Sequence, residues 1–474
     1  MLEQPRWSKW SLPGLAAGGL WTAQALALGG LLSIGPWIIG AALLASGFSL
    51  LVWPGDTRIT QTGALAGGAG ALLSLPLAFV LGPLAGLALL ASALFAAWGS
   101  GRMALQLEPR VPGVPAVRPS AGLAAKVALD EIVLGFEQWG ATGFALDGTV
   151  ERVIDEVERT HELFAERGLL DKPETYHVRP PDLVDPEIRR ERIRGREIEI
   201  LRFESGYAPA AGEPGRERWL GYDPCRDGWA YVLRHPEDES GDARPRPWLI
   251  CTNGYRMGHA WADVGLFERF HAKLGANLLI PVLPLHGPRR IGWHSGSGFL
   301  GLDVIDTLHA EAQAMWDMRR LLSWVRAQEP SAIGAFGLSL GGYTTALFSC
   351  LAEALDCVVA GIPVTDFTRI LRRHATPHQL RYAQSLGLDL ERIGEVLRVV
   401  SPLVLEPEVP VSGRLIFGAT ADRLVTPDQV RDLWRHWQEP EIVWYEGVHV
   451  SFMSEPAVWA AVDRVLSENG VRAR

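Results

Sequence analysis

The sequence predicts an α/β fold, with a doubly wound and mostly parallel sheet, preceded by an N-terminal all-α transmembrane domain. Two observations predict this architecture. The first 102 residues contain only six charged side chains, whereas after about residue 196 strand-like apolar runs alternate with helical segments. Such alternation is typical of a parallel sheet covered by helices. A third observation, a serine between glycines at a strand-to-helix junction, indicates where chemistry takes place.

The N-terminal segment contains two long stretches without a charged side chain, residues 10–55 and 59–101. A helix needs roughly 20 residues to cross the apolar core of a bilayer, which is about 30 Å thick. Each stretch is about twice that length and has a Gly-Pro breaker near its middle, at 35–36 and 82–83. We therefore predict about four transmembrane helices, near 13–33, 36–53, 61–81 and 83–101.

Basic side chains flank these predicted spans on both sides. Arg6 and Lys9 precede the first span, and Arg102, Arg110 and Arg118 follow the last. An even number of spans puts both flanks on one side of the membrane, and the positive-inside tendency makes that side cytoplasmic. The four cysteines have neither disulfide nor metal-ligand spacing, which agrees with a reducing compartment. We therefore predict a multi-pass membrane protein whose soluble part faces the cytoplasm.

The remainder of the chain has the composition of a soluble protein. Residues 103–195 combine a proline-rich linker with a helical region, and residues 196–474 form the predicted sheet domain, with a helical cap inserted at about 366–400. The arginine-rich stretch 189–197 is interpreted as solvated surface. The predicted strands are 198–203, 229–233, 248–252, 277–283, 332–336, 357–361, 414–417 and 442–445. The predicted helices of this domain are 260–274, 306–327, 340–354, 427–437 and 454–468.

A candidate nucleophile lies in the stretch IGAFGLSLGGYTTALF, residues 333–348. Ser339 stands where a buried strand-like run becomes a helix-like run, and Gly337 and Gly341 surround it in the pattern G-x-S-x-G. In that motif a sharp turn between strand and helix holds a nucleophilic serine in strained geometry. A side chain at either glycine would collide with the neighbouring strand or helix. Ser339 then requires a base, an acid and an oxyanion hole from the rest of the chain.

The base and the acid are predicted in two loops that follow late strands. His449 lies after the strand-like run 442–445, and Asp422 lies in a loop of small residues after the run 414–417. A serine hydroxyl becomes nucleophilic when an adjacent base takes its proton, and that base needs an acid to orient it. Asp366 is the second candidate for the acid. The alternative for Asp422 is a helix-capping or solvated aspartate.

The motifs around these three residues resemble the α/β-hydrolase superfamily, with similarity to dienelactone hydrolases and acetyl xylan esterases. The resemblance rests on GLSLGG at 337–342, GATADRLV around Asp422 and GVHVSF around His449, and it covers about 280 of the 474 residues. In this superfamily the triad follows in the order Ser, then Asp or Glu, then His, and the candidate residues here have that order. The resemblance implies a fold and a catalytic triad, but not a substrate.

The resemblance also implies where the oxyanion hole lies. One donor would be the backbone N–H of Leu340, the residue after the nucleophile. The second would come from the loop after the third strand, where Asn253-Gly254-Tyr255 occupies the place of the His-Gly that the superfamily often has. We therefore expect the N–H of Tyr255 to be the second donor, although asparagine replaces histidine at this point.

Two arginines are candidates for binding the substrate. Arg289 and Arg290 lie in the loop LPLHGPRRIGWHSGSGF, which follows a strand and should lie near the mouth of the site. A guanidinium group matches the geometry of a carboxylate or a phosphate. The alternative is a pair of surface arginines or a tie between loops.

The sequence thus predicts a membrane-anchored serine hydrolase that cleaves carboxylic esters through an acyl-serine intermediate. A small-molecule or lipid-like ester is the expected substrate, and the membrane is the expected partner. A net charge of −9 does not indicate a nucleic-acid partner, and the predicted chemistry requires no metal or other cofactor. The alternatives are a thioesterase or peptidase with the same triad, and a catalytically inactive, membrane-anchored interaction protein.

Overall fold

The computed structural model describes residues 8–52, 57–140, 147–235, 245–301 and 303–473. Arg6, the predicted end of the second span at 53, and residues 141–146 of the predicted helical region lie outside these ranges. The chain divides into two compact units. The N-terminal unit comprises Met1–Phe144, Ala419–Asp428 and Trp444–Glu455, and the sheet unit comprises Ala145–Gly418, Gln429–Val443 and Pro456–Arg474.

The described residues of the N-terminal unit form five long α-helices. They are α1 (Leu12–Leu28), α2 (Ile34–Val52), α3 (Thr57–Leu81), α4 (Pro83–Leu107) and α5 (Ala121–Gly140). Small residues let them approach closely: a Cβ added to Gly67 on α3 would lie 2.7 Å from the carbonyl oxygen of Ala93 on α4. Trp21 and Leu43 are fully buried in the core between the first four helices.

Three stretches of the described residues are long and apolar enough to cross a membrane. They are Gly30–Val52, Arg58–Leu81 and Pro83–Leu107. The stretch predicted as the first span forms a helix, α1, but it has only 17 residues and is not among the three. The even number of spans that the orientation argument needs therefore depends on α1.

The N-terminal unit is larger than the segment 1–102 predicted from the sequence. Helix α5 belongs to it, and so do the two loops that follow the last two strands, 419–428 and 444–455. Residues of the two loops pack against α4 and α5 in one buried apolar cluster. Its members are Ala104, Leu123, Val127, Ala421 and Val448. The loops that carry Asp422 and His449 are thus built into the helical unit.

In the part of the chain that the structure describes, the sheet has nine strands: β1 (Glu187–Ile193), β2 (Arg196–Glu204), β3 (Asp227–Leu233), β4 (Trp248–Thr252), β5 (Asn277–Val282), β6 (Ile333–Leu338), β7 (Cys357–Gly361), β8 (Arg414–Ala419) and β9 (Glu441–Tyr445). Their order across the sheet is β1-β2-β3-β5-β4-β6-β7-β8-β9. The pairs β4–β5, β4–β6, β6–β7 and β7–β8 are parallel, whereas β1–β2, β2–β3 and β3–β5 are antiparallel. Every residue of β4 to β8 is buried, as expected for strands with helices on both faces.

The predicted α/β class and all eight predicted strands are confirmed. Strand β1 was missed, because its charged side chains are exposed and show no apolar alternation. Three helices, within residues 367–397, occupy the predicted cap between β7 and β8. The helices outside the first five are α6 (Asp147–Glu166), α7 (Arg216–Leu220), α8 (Ala260–Leu274), α9 (Val304–Arg326), α10 (Leu340–Phe348), α11 (Phe367–His374), α12 (Pro377–Ser385), α13 (Leu390–Leu397), α14 (Pro427–His436) and α15 (Pro456–Glu468).

Candidate active site

The candidate serine lies on a strained turn of the sheet unit. Ser339 separates β6 from α10, and its backbone has φ 58° and ψ −116°. Positive φ is unfavourable for a residue with a side chain, and it persists only where surrounding contacts fix it. The Ser339 N–H donates to Gly361 O at 2.9 Å, and its carbonyl accepts from Val364 N at 3.2 Å. This is the backbone that the G-x-S-x-G motif predicts.

The two glycines of the motif allow the backbone to pack closely around this turn. A Cβ on Gly337 would lie 2.1 Å from the carbonyl oxygen of Gly341, on the first turn of α10. A Cβ on Gly341 would lie 2.2 Å from the carbonyl oxygen of Thr252, at the end of β4. The collisions expected from the sequence are therefore real. Glycine at both positions therefore allows the turn to pack this closely against the neighbouring strand and helix.

The loop predicted to carry the second oxyanion donor lies beside the serine. A Cβ on Gly254 would lie 3.4 Å from Ser339 Cβ and 4.0 Å from Ser339 Oγ. Asp263 on α8 holds this loop in place, because its Oδ1 accepts the Gly258 N–H at 3.2 Å. Burial raises the pKa of Asp263 to about 7.

The first predicted oxyanion donor lies at a helix start. Leu340 is the first residue of α10. The first four N–H groups of a helix have no partner within the helix, so the Leu340 N–H can donate to a ligand. The oxyanion roles of Leu340 and Tyr255 remain predictions.

The candidate acid and base form a buried pair in the N-terminal unit. His449 Nδ1 lies 2.7 Å from Asp422 Oδ2. The other oxygen of Asp422 accepts the N–H groups of Leu424 and Val425, both at 2.9 Å. The carboxylate is therefore fixed by its own loop, with one oxygen left for the imidazole. When Nδ1 carries the proton of this hydrogen bond, Nε2 is left to accept one.

The surroundings of His449 favour its protonated form. Burial lowers the pKa of His449, but the charge of Asp422, its hydrogen bond and the charge of Asp130 outweigh burial and raise that pKa above the ordinary value. A base of this kind holds a proton more strongly than an exposed histidine. The pair can therefore take a proton from a nearby hydroxyl and stabilise the imidazolium that results.

The second candidate for the acid has a different task. Asp366 is the N-cap of α11, and its Oδ1 accepts from Thr368 N at 2.8 Å and Arg369 N at 3.2 Å. These bonds satisfy two N–H groups at the start of the helix, as capping aspartates commonly do. Asp366 thus holds the start of α11, whereas Asp422 is hydrogen-bonded to His449.

The two candidate arginines differ in their surroundings. Arg289 is 1% exposed, and its guanidinium pairs with Asp317 at 2.8 Å and donates to Val282 O at 2.9 Å. Substrate binding by Arg289, which the sequence suggested, does not fit this burial, because the group ties the loop to the interior. Arg290 is exposed, and its guanidinium donates to Gly287 O at 3.2 Å.

Sequence reasoning missed two acidic residues in the middle of α5. The buried carboxylate of Asp130 accepts the backbone N–H groups of Arg423 and His449, each at 3.2 Å. Glu131, also buried, pairs with the Arg423 guanidinium at 2.8 Å. The available signal was the adjacent Asp-Glu pair inside the apolar helix AGLAAKVALDEIVLGF, because such charges are costly to bury without partners.

The described residues contain no cluster of three or more His, Cys, Asp or Glu side chains arranged to hold a metal ion. Cys225, Cys251, Cys350 and Cys357 are free thiols.

Two proteins of Mycobacterium tuberculosis are similar to the chain along most of their length. "Uncharacterized protein Rv2627c" of strain H37Rv and "Uncharacterized protein MT2702" of strain CDC 1551 are each 42% identical to it over 363 residues. The match covers 76% of this chain and 85% of each relative. No protein-family model matches the chain.

Solved structures show a more distant similarity. Acetyl xylan esterase 1 from Thermoanaerobacterium sp. JW/SL YS485 is 16% identical, with a TM-score of 0.43, over 63% of this chain and 98% of that one. An acetyl xylan esterase from Paenibacillus sp. R4 is 15% identical, with a TM-score of 0.42, over the same shares.

Proposed function

The chain belongs to one family with the two Mycobacterium tuberculosis proteins, and from the geometry of its own residues we propose that it is a serine hydrolase that cleaves carboxylic esters. The observation that carries this proposal is the positive φ of Ser339 at the turn between β6 and α10. A serine is placed there at the cost of backbone strain, and such strain is concentrated at functional sites. The buried pair of His449 and Asp422 supplies the partner chemistry.

In the proposed reaction, Ser339 Oγ attacks the ester carbonyl while His449 Nε2 takes the hydroxyl proton. Asp422 keeps the imidazole in the required tautomer and stabilises its charge. The N–H groups of Leu340 and Tyr255 donate to the developing oxyanion, each contributing roughly 3–4 kcal/mol to the transition state. The protonated His449 then gives its proton to the leaving alcohol. Water, activated by the same base, hydrolyses the acyl-Ser339 intermediate.

We further propose that the enzyme is anchored in a membrane, with its soluble part on the cytoplasmic side, and acts on lipid-like esters. The three apolar helices of sufficient length support the anchor. With α1 as a fourth span, the basic residues before the first span and after the last lie on one side of the membrane and support the cytoplasmic orientation. Two apolar side chains next to the base support the substrate class: Val450 is 41% exposed and Met453 is 61% exposed. Burying such side chains against an acyl chain would favour apolar esters.

A negatively charged group on the substrate would pair with Arg290, the exposed one of the two candidate arginines. Arg290 lies in the loop that follows β5. A role in binding a carboxylate or phosphate predicts that Arg290→Gln raises KM for anionic esters and leaves KM for neutral esters unchanged. Equal KM changes for both ester types would remove this role.

The proposal of a serine hydrolase is tested on the full chain in detergent. Ser339→Ala should abolish both hydrolysis of p-nitrophenyl acetate and covalent labelling by a fluorophosphonate probe. Ser331→Ala is the matched control, because Ser331 is exposed just before β6. Its activity should equal that of the unaltered protein. Hydrolysis by Ser339→Ala at the control rate would contradict the proposal.

The lipid-like substrate is tested by comparing a soluble short-chain ester with a long-chain ester in phosphatidylcholine vesicles. Met453→Gln replaces an exposed apolar side chain by a polar one of similar size, and Met453→Leu keeps it apolar. We expect Met453→Gln to lower vesicle hydrolysis by roughly tenfold and to leave hydrolysis of the soluble ester unchanged. Equal effects of both variants on both substrates would contradict lipid specificity.

A further inference from the structure

One face of α5 is directed at the loops that carry the acid and the base. Leu123 and Val127 share a buried apolar cluster with Ala421 and Val448 from those loops. Lys126, on the same side of the helix, pairs with Glu455 at 2.8 Å. The spacing of three and four residues places these side chains on one helical face. This face is therefore matched to the two loops in both its apolar and its charged contacts.

Asp130, one turn after Lys126, joins the two loops through a single oxygen atom. Its Oδ2 accepts the N–H of His449, the candidate base, and the N–H of Arg423, the residue after the candidate acid. Both distances are 3.2 Å, and Asp130 is fully buried. Its Oδ1 has no hydrogen-bond partner among the described residues. Burying a carboxylate oxygen that has no hydrogen-bond partner costs free energy, so a carboxylate at this position calls for an explanation.

The neighbouring residue extends the connection into the apolar helices. The guanidinium of Arg423 pairs with Glu131 at 2.8 Å and also with Glu108 at the end of α4. The hydroxyl of Thr60, on α3, donates to the second oxygen of Glu131. Burial lowers the pKa of Arg423 to about 10, so the guanidinium stays charged at neutral pH. The acid loop is thereby fixed by ion pairs to α5 and to the end of α4, and the hydrogen bond of Thr60 links Glu131 to α3.

The charge of Asp130 also acts on the base. Burial and the charge of Asp422 raise the pKa of Asp130 to about 7, against the lowering effects of His449 and of the two backbone N–H groups. In return, the Asp130 charge is one of the causes that raise the pKa of His449. The titratable and charged groups on the described elements packed around Asp130, namely α3, α4, α5 and the two loops, are Arg58, Arg102, Glu108, Lys126, Glu131, Glu137, Asp422, Arg423, Asp428, Tyr445, Glu446, His449 and Glu455.

We propose that Asp130 is a positioning residue of the catalytic apparatus, and that α5 holds in place the two loops that carry the acid and the base. Asp130 fixes the backbone of both loops through one carboxylate oxygen, and its negative charge stabilises the imidazolium that forms during the reaction. The N-terminal unit then contributes to catalysis itself, beyond any role as an anchor. This inference rests on the proposed serine hydrolase activity.

The test uses Asp130→Asn in the full chain. The amide oxygen of asparagine can still accept both N–H groups, so the variant removes the charge and keeps the hydrogen bonds. We expect the acidic limb of the kcat/KM profile to move to lower pH, because His449 loses a charge that raises its pKa. We also expect kcat to fall by about tenfold. Asp155→Asn is the matched control, since Asp155 is exposed on α6, and it should change neither quantity.

An unchanged pH profile and an unchanged kcat for Asp130→Asn would overturn the inference, because a purely structural carboxylate would leave both in place. If Asp130→Asn does not fold, Asp130→Ser is measured by the same criterion, since it also lacks the charge. The fluorophosphonate reaction of Ser339 in the unaltered protein separates the two proposals. Its failure would remove the hydrolase function, whereas normal labelling with an unaffected Asp130 variant would remove only this inference.

Discussion

Replacing Asp422 by asparagine changes one atom of the buried acid, and the structure determines how that atom would act. Asp422 Oδ1 accepts two backbone N–H groups at 2.9 Å, so the amide oxygen of an asparagine must take this position. The amide NH₂ would then face His449 Nδ1, which now lies 2.7 Å from a carboxylate oxygen. The imidazole would have to accept at Nδ1 and carry its proton on Nε2. In that tautomer His449 cannot take the proton of a serine.

The expected loss in kcat for Asp422→Asn is about 10⁴-fold, which corresponds to ~5 kcal/mol of transition-state stabilisation. Hydrolysis of p-nitrophenyl acetate and the rate of fluorophosphonate labelling measure this loss, and thermal unfolding shows whether the fold is retained. Asp366→Asn is the matched control, because asparagine caps a helix about as well as aspartate does. It should keep its activity within about twofold. A larger loss for Asp366→Asn than for Asp422→Asn would refute the assignment of the acid.

Three further predictions concern the serine turn, a buried carboxyl group and the base. Gly341→Ala places a Cβ 2.2 Å from Thr252 O and should lower the free energy of unfolding by about 2 kcal/mol or more. Gly122→Ala is the control, because a Cβ there meets open space, and it should leave the free energy of unfolding unchanged. Chemical denaturation of both variants measures the difference. Burial raises the pKa of Glu311 to about 8, so the folded protein holds a proton that the unfolded chain releases near pH 4.5, and stability falls as pH rises between these values. Glu311→Gln should flatten this dependence of the melting temperature, and an equal slope in both proteins would contradict it. Because the pKa of His449 is raised, kcat/KM should rise with pH along an acidic limb centred above 6.5, and a limb centred below that value would contradict the assignment.

Most of the sheet could be predicted because its strands have a recognisable pattern of apolar residues. Strands β4 to β8 are buried on both faces, so their sequences are continuous apolar runs between turn residues. Strand β1 was not predictable in this way. It is an exposed edge strand of charged residues, held by backbone pairing with β2, and backbone pairing leaves no apolar pattern in the sequence.

The local geometry of the serine turn also follows from sequence, because only glycine allows the close approaches at Gly337 and Gly341. The burial of Arg289 could not be predicted from the sequence. It depends on an ion pair with Asp317 on α9, and the sequence of the loop does not indicate that pair. The contact between α5 and the loop of His449 could not be predicted for a related reason. Asp130 and His449 are 319 residues apart in sequence, and the contact between them is made by a backbone N–H, which any residue provides.

The most direct test of the central claim is to identify the residue that reacts. The full chain is treated with a fluorophosphonate at neutral pH, digested, and analysed by mass spectrometry for the modified peptide. Our account predicts a single adduct on Ser339, formed by the unaltered protein and absent when the protein is heat-denatured first. An adduct on a different serine, or no adduct under conditions in which the protein hydrolyses an ester, would contradict it.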